Sequence, residues 1–286
     1  MNTLSLFDGM SCGKIALERV GIEGNYYSSE IDKYAINVSK DNYPDIISLG
    51  DITKWREWDI DWSSIDLLMG GSPCQGFSFA GKQLAFDDPR SKLFFVYVDI
   101  LNHIKSLNPN VKFLLENVKM KKEHINVISE ILGVESIFIN SNKILPIDRP
   151  RHYWCNWYVN EPSHNGKKLT DYIDFKDKSF RSDSFHAWLN KKLEWKIKKK
   201  YISIMNDAPS AIPQLARQVA SWNGNIVRVS SGKYRFLNIK EASSLHGVPV
   251  NYFDSVSSAQ AYKMLGNGWQ IDTIVHLLQG LKNELK

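Results

Sequence analysis

Leu4-Ser5-Leu6-Phe7-Asp8-Gly9-Met10-Ser11-Cys12-Gly13 runs from a short apolar segment, through a turn, into a helical stretch that continues to Val20. A buried strand joined to a helix by a tight, glycine-bearing turn is the opening unit of a sheet flanked by helices. The same alternation recurs downstream. Tyr26 to Ile31 reads as a second strand and Asp32 to Tyr43 as a helix; Ile47 to Ile52 is a third strand and Ile65 to Met69 a fourth. Ser91 to Leu107 is a long amphipathic helix with Leu93, Phe94, Val96 and Ile100 on its apolar side. Val111 to Leu115 is a fifth strand and Glu123 to Leu132 another helix. The order predicts an α/β fold built on a doubly wound, mostly parallel sheet, which takes its ligand at the carboxyl ends of the strands. Chemistry is therefore expected in the residues that follow each strand.

Beyond Trp157 the alternation stops. The stretch to Tyr234 has no clear period, is rich in Lys and Ser, carries Ala208-Pro209-Ser210 and Ile212-Pro213, and reads as a separate small domain. Helical character returns at Ala259 to Met264 and Thr273 to Leu285. The expected organisation is a catalytic and cofactor-binding domain over 1–157, completed by 257–286, with a smaller domain over 158–256. The net charge of +5 conceals an asymmetry. Between Tyr158 and Tyr234 stand 14 Lys and Arg against 7 Asp and Glu, a net of +7, while the remainder holds 22 against 24, a net of −2. Such a segment suits phosphates, although a solvated helix face over Lys191 to Lys200 accounts for the charge equally well.

No run of about 18 apolar residues occurs, so no membrane span is expected. Met1 to Asp8 lacks the basic start of a signal peptide. Cys12, Cys74 and Cys155 are scattered, which argues against a disulfide framework or a metal cage and suits a reducing cytoplasm.

Three consecutive strand ends carry Gly or an acid. Gly9 lets the backbone approach a ligand before a helix N-terminus; Glu30, about twenty residues on, is placed to accept from ribose hydroxyls; Asp51 follows Gly50 and could receive an adenine amino group. The full G-x-G-x-x-G is absent, which argues against a nicotinamide cofactor. Strand four ends in Gly70-Gly71-Ser72-Pro73-Cys74-Gln75-Gly76-Phe77-Ser78. A lone thiol usually ends in a core, but one on a Gly-rich loop near helix amides becomes a competent nucleophile. Strand five ends in Glu116-Asn117-Val118, and read alone Glu116 is as readily a loop carboxylate as an acid–base group. Arg149 and Arg151, one residue apart before the aromatic run His152-Tyr153-Trp154, would point the same way on a strand and could grip a carbonyl oxygen or orient Glu116.

Taken together these residues resemble one family, the S-adenosylmethionine-dependent cytosine-5 DNA methyltransferases, of Rossmann-like class. The run from Gly70 to Phe95, with Gly81-Lys82-Gln83, Phe86-Asp87-Asp88 and Arg90-Ser91-Lys92-Leu93-Phe94-Phe95, resembles the bacterial nucleophile loop. Phe7-Asp8-Gly9 and Arg149 to Trp154 are more similar to the animal de novo branch. Arg235-Phe236-Leu237-Asn238-Ile239-Lys240-Glu241-Ala242 resembles the segment that buttresses the target recognition domain, and Leu265-Gly266-Asn267-Gly268-Trp269 the last cofactor turn. The first turn is poorer in glycine than is usual, and Ile147 stands where a glutamine often precedes the arginines.

The resemblance implies that the Cys74 thiolate adds to C6 of a cytosine, Glu116 holds N3, Arg151 binds the O2 side and Arg149 orients Glu116. The base must leave the stack to be reached. Pro73, Gln75, Ser78, Ala80, Lys82, Asn117 and Val118 would shape the base pocket and its DNA face. Phe7, Asp8, Gly9, Glu30, Ile31, Asp51 and Ile52 would hold S-adenosyl-L-methionine, together with Pro73, Leu93, Asn267, Gly268 and Trp269. The basic segment falls where the family keeps its recognition domain; Arg181, Arg217, Arg228 and Lys196 to Lys200 are candidates there, and its 77 residues suggest a brief target. Duplex DNA is the implied partner, with no membrane and no metal, a cognate restriction endonuclease as a candidate companion, and a monomer or weak oligomer in the cytoplasm of a bacterial or phage-infected cell. The rivals are a methyltransferase acting on transfer RNA, a non-catalytic DNA-binding relative, which would lack residues that this chain keeps, and a nicotinamide dehydrogenase, which offers Cys74 no role.

Overall fold

The computed structural model describes residues 1–72, 92–180, 182–214 and 223–286. Its first half alternates β1 (Asn2–Leu6), α1 (Cys12–Val20), β2 (Tyr26–Ser29), α2 (Lys33–Asn42), β3 (Ile47–Ser48), β4 (Ile65–Gly71), α3 (Lys92–Leu107), β5 (Lys112–Val118), α4 (Lys122–Leu132), β6 (Ile137–Asn140) and β7 (Pro150–Cys155). These strands form a seven-stranded sheet in the order β3-β2-β1-β4-β5-β7-β6. The pairs β2–β3, β1–β2, β1–β4 and β4–β5 are parallel; β5–β7 is antiparallel. The chain winds outward from β1 in both directions, so the doubly wound, mostly parallel sheet expected from the sequence is the one observed.

Register decides which residues stand at the carboxyl edge. Leu6 pairs with Ser29 on one side and Gly70 on the other, and Gly70 pairs with Leu115. One step beyond that row come Glu30, Phe7, Gly71 and Glu116. The row is packed from behind by α3, whose Phe94, Tyr97, Ile100, Leu101 and Ile104 bury against Leu4, Leu6, Ile65, Leu68, Phe113 and Leu115. Each such side chain contributes roughly 1.5–3 kcal/mol. A Cβ on Gly70 would meet the Tyr97 ring at 3.0 Å, so only glycine lets the helix lie this close.

Two strands differ from expectation. β3 is confined to Ile47–Ser48 because Gly50 turns the chain at φ +77° and Asp51 accepts from the Thr53 N–H at 2.9 Å, starting a 3₁₀ helix over Ile52–Glu57. β5 runs on through Val118 because β7 pairs with it along that length; Glu116 thus sits inside a strand, not in the loop after it.

The Cα positions group into two compact units. The first is Met1–Ile139, Pro150–Glu161 and Ile274–Lys286; the second is Asn140–Arg149 and Pro162–Thr273. In the first, Ile274, Leu277, Leu278 and Leu281 are fully buried at i, i+3, i+4 and i+7 spacing. There the Trp157 indole donates to the Leu277 carbonyl at 2.8 Å and Lys112 pairs with Glu284 at 2.8 Å.

The second unit gives the stretch without a period its own small core. α5 (Asp183–Asn190) and α6 (Leu193–Lys198) precede β8 (Ile202–Ile204), β9 (Gly224–Ser230) and β10 (Lys233–Phe236), a three-stranded sheet ordered β10-β9-β8. Leu189, Ile202, Ile226 and Tyr234 fill the space between. α7 (Ile239–Leu245) begins at a capping box in which Asn238 and Glu241 exchange side-chain and backbone bonds, and α8 (Ser258–Asn267) and α9 (Ile271–Glu284) follow. Glu241 also forms a forked pair with Arg235, at 2.7 and 2.8 Å, each side chain being only 4% exposed.

Candidate active site

Glu116 pairs in register with Tyr153, and Arg151 lies two residues along β7, opposite Val118. On an antiparallel ladder that offset makes Glu116 and Arg151 diagonal neighbours on one face. Arg151 Nε lies 2.7 Å from Glu116 Oε1, with the side chains 17% and 12% exposed. The contact is an ion pair rather than an aligned hydrogen bond, since the Nε–H finds no acceptor along its own direction. Asn117 beside them is buried; its Nδ2 reaches the Ser72 hydroxyl at 3.2 Å and its Oδ1 accepts from the Val118 N–H at 2.8 Å. The end of β5 is thereby tied to Ser72, two residues before Cys74. Pro73, Cys74, Gln75, Ser78, Ala80 and Lys82 lie outside the described residues.

At the other side of the row, Phe7 and Gly9 adopt φ +56° and +60°. A Cβ built on Gly9 meets nothing within 4 Å, so the turn faces open space. The Gly9 N–H donates to Glu30 Oε2 at 2.7 Å, while Glu30 Oε1 accepts from the N–H groups of Ile31 and Asp32 at 2.7 and 2.8 Å. Ile31 next to it is 75% exposed. Asp51 is exposed, with one oxygen on both the Thr53 N–H and hydroxyl; Ile52 is buried and Leu93 half-buried.

Asp8 departs from its expected place on the ligand side. Its carboxylate turns inward and accepts from Ser5 at 2.5 Å, Ser11 at 2.6 Å, Tyr26 at 2.5 Å and Ser28 at 2.8 Å. Burial pushes this carboxyl above its ordinary 3.8, and the four hydroxyls pull the other way without cancelling the effect. Hydroxyls at positions 5, 11, 26 and 28 carry no spacing motif, so the network was not legible in the sequence.

Arg149 belongs to the second unit and precedes the first residue of β7, so strand alternation does not align it with Arg151. Its Nη2 donates to the carbonyls of Gly266 at 3.3 Å and Gly268 at 2.6 Å, fastening the turn that holds Asn267 and Trp269. His246, which the sequence did not single out, is buried in the same unit. Burial, aided by the Arg149 cation, pulls its pKa from 6.5 to about 3 against the pull of the Ala242 carbonyl, 2.9 Å from Nδ1. In the basic segment, Arg228 pairs with Asp207, and Arg181 and Arg217 lie outside the described residues. Lys196 is corrected outright: it is 6% exposed and donates to Asn223 Oδ1 at 2.8 Å, a structural post rather than a free cation.

Residues 1–135 match the family model for C-5 cytosine-specific DNA methylases. The Type II methyltransferase M1.ScrFI of Lactococcus lactis subsp. cremoris is 31% identical over 306 residues, an overlap spanning 95% of this chain and 75% of the relative. The chain belongs to the C-5 cytosine-specific DNA methylases. It is accordingly a DNA (cytosine-5-)-methyltransferase. A second member, the Type II methyltransferase M.HhaI of Haemophilus parahaemolyticus, is 28% identical over 320 residues, covering 99% of this chain and 94% of its own. Among solved structures, the Entamoeba histolytica methyltransferase EhMeth shares the fold of this methylase with a TM-score of 0.78 at 17% identity, over 100% of this chain and 99% of that one. Among the described residues no helix is long and apolar enough to cross a membrane.

Proposed function

We propose that this methyltransferase acts on a cytosine flipped out of duplex DNA, through a covalent bond between Cys74 and C6. The observation that carries the reading is the Glu116–Arg151 ion pair, held on β5 one strand from the β4 end that leads to Cys74. C5 of cytosine is a poor nucleophile. Addition of the Cys74 thiolate to C6 relieves this, with Glu116 at N3 sharing a proton with the ring as charge develops. Arg151 holds Glu116 in place and presents its guanidinium towards the O2 side. Asn117, anchored on Ser72, walls the base pocket. C5 then accepts the methyl group, its proton passes to solvent, and the C6–S bond breaks to return the thiolate. A stacked base cannot meet these groups, so extrusion from the duplex precedes them.

S-adenosyl-L-methionine, when bound, supplies a sulfonium methyl to C5. The residues fit it: the open Gly9 turn gives a close backbone approach, Glu30 presents a carboxylate at its rim, and the exposed Ile31 offers an apolar face to an adenine. Phe7, Asp51, Ile52 and Leu93 complete the proposed set in the first unit, and the family resemblance adds Pro73 and Asn267 to Trp269. The lysine-rich second unit would read a short target, and the enzyme would work in the cytoplasm of a bacterial or phage-infected cell, with or without a companion endonuclease. Methylation of a plasmid followed by bisulfite sequencing tests the reading, with total transfer RNA and a radioactive methyl donor as the competing substrate. The expected result is methylation of one short duplex sequence by the parent and none by Cys74→Ser. Equal activity of Cys74→Ser, or label confined to transfer RNA, would overturn it.

A further inference from the structure

The densest positive charge in the chain lies around α6. From Lys191 to Lys200 six lysines face a single acid, Glu194, a net of +5. With Lys196 turned inward, Lys191, Lys192, Lys198, Lys199 and Lys200 remain, and all five are exposed. Four acids among the described residues of this unit are engaged elsewhere: Asp183 with Lys233, Asp207 with Arg228, and Asp177 and Glu241 with Arg235.

Helix stability does not account for all of the lysines. Lys192 is the N-cap of α6, the positive end of the helix dipole, where a cation is unfavourable. Lys198, Lys199 and Lys200 crowd the other end, where the dipole favours a cation, but three like charges in succession repel one another. The two groups are separated by one six-residue helix, roughly 10 Å at about 1.5 Å per residue. The surface between them is stiffened by rings. Trp188 lies beneath Lys192 at 5.3 Å and Lys196 at 5.5 Å, and Trp195 meets Tyr201 edge to face at 5.5 Å. Residues 182–214 contain no arginine, the side chain whose planar fork best reads a guanine edge. A surface of flexible point charges suits phosphates and carries no base code.

We propose that the exposed lysines at the two ends of α6 grip the phosphate backbone of duplex DNA without reading its sequence. The surface supplies a salt-sensitive affinity common to all sequences, while discrimination lies elsewhere in the second unit. The inference rests on duplex DNA being the substrate.

The test compares the parent with K191Q/K192Q/K198Q/K199Q/K200Q, and with the same five positions changed to Arg, in full-length protein. Binding is followed across a salt series on an alternating dA–dT duplex, which holds no cytosine, and on a duplex that the parent methylates. Neutralisation is expected to flatten the slope of log affinity against log salt by about 0.9 for each phosphate no longer paired with a lysine, up to about 4 to 5 in all. The weakening should be equal on both duplexes, and the Arg variant should keep the parental slope while circular dichroism shows all three proteins folded. An unchanged slope overturns the proposal, as does a weakening confined to the cytosine-containing duplex, or one seen only on single-stranded DNA. A parent that methylates no duplex DNA removes the functional reading and this surface with it; a parent that methylates normally, beside a variant of unaltered slope, removes the surface alone.

Discussion

Glu116 and Arg151 meet diagonally across β5 and β7, with 2.7 Å between Oε1 and Nε. The pairing makes the two side chains one functional unit rather than two independent contributors. Glu116→Gln is expected to lower kcat by about 10²- to 10⁴-fold, and Arg151→Lys to lower it too, because an ammonium lacks the planar fork. The double variant should lose little more than the worse single one. Single-turnover methylation rates check this, and losses that simply multiply would reject it.

Asp8 makes stability depend on pH in an unusual direction for a carboxylate. Its folded pKa lies above the ordinary 3.8, so the folded chain keeps the proton longer than the unfolded one. Its contribution is fully present below about pH 3.8 and is lost as pH rises through the folded value. Asp8→Asn should therefore gain on the parent between about pH 4 and pH 7. Asp8→Ala should be destabilised throughout, at about 1–3 kcal/mol for each hydroxyl left without an acceptor. Urea unfolding at the two pH values reads both effects.

His246 has the opposite sign. Its folded pKa, about 3, lies below 6.5, so the unfolded chain takes up the proton first and stability falls as pH drops through that window. Between about pH 7 and pH 5 the parent should lose about 2 kcal/mol that His246→Gln retains. Parallel denaturation curves at both pH values would sink the assignment if parent and variant shifted alike.

Arg235→Met leaves Glu241 charged, buried and without its forked partner, a change expected to cost about 3–5 kcal/mol. Glu241 also accepts from the N–H groups of Asp174 and Asn238, so the damage should spread to α7. Thermal unfolding with proteolysis across residues 162–273 measures it.

Ile31→Asp places a charge on a side chain that is 75% exposed. Stability should stay within about 0.5 kcal/mol, while S-adenosyl-L-methionine binding, followed by calorimetry, should weaken about tenfold or more. Unchanged binding would exclude Ile31 from the cofactor face.

The sheet was legible because its strands are short apolar runs and its helices carry a clear 3.6-residue period, as in Phe94, Tyr97, Ile100, Leu101 and Ile104. Glu116 and Arg151 were legible as residue types in order, but not as a pair, because their contact depends on the antiparallel register of β7. The roles of Asp8 and Lys196 were hidden for another reason. Both look like polar surface residues in sequence, and only tertiary packing supplies the four hydroxyls or the Asn223 amide that draws them inward. His246 gave no local signal at all, since its environment comes from Ala242 one turn back and from Arg149 far along the chain.

The first compact unit is assembled from segments separated by more than a hundred residues of the second. On a ribosome, Trp157 emerges well before Leu277, whose carbonyl accepts its indole proton. At about 5–20 residues per second, that interval lasts roughly 6–24 s. Throughout it the surface later covered by Ile274, Leu277, Leu278 and Leu281 stays bare to water. The nascent chain therefore passes through a stage with a finished second unit and an unsealed first one, when chaperone capture or aggregation competes most strongly with folding.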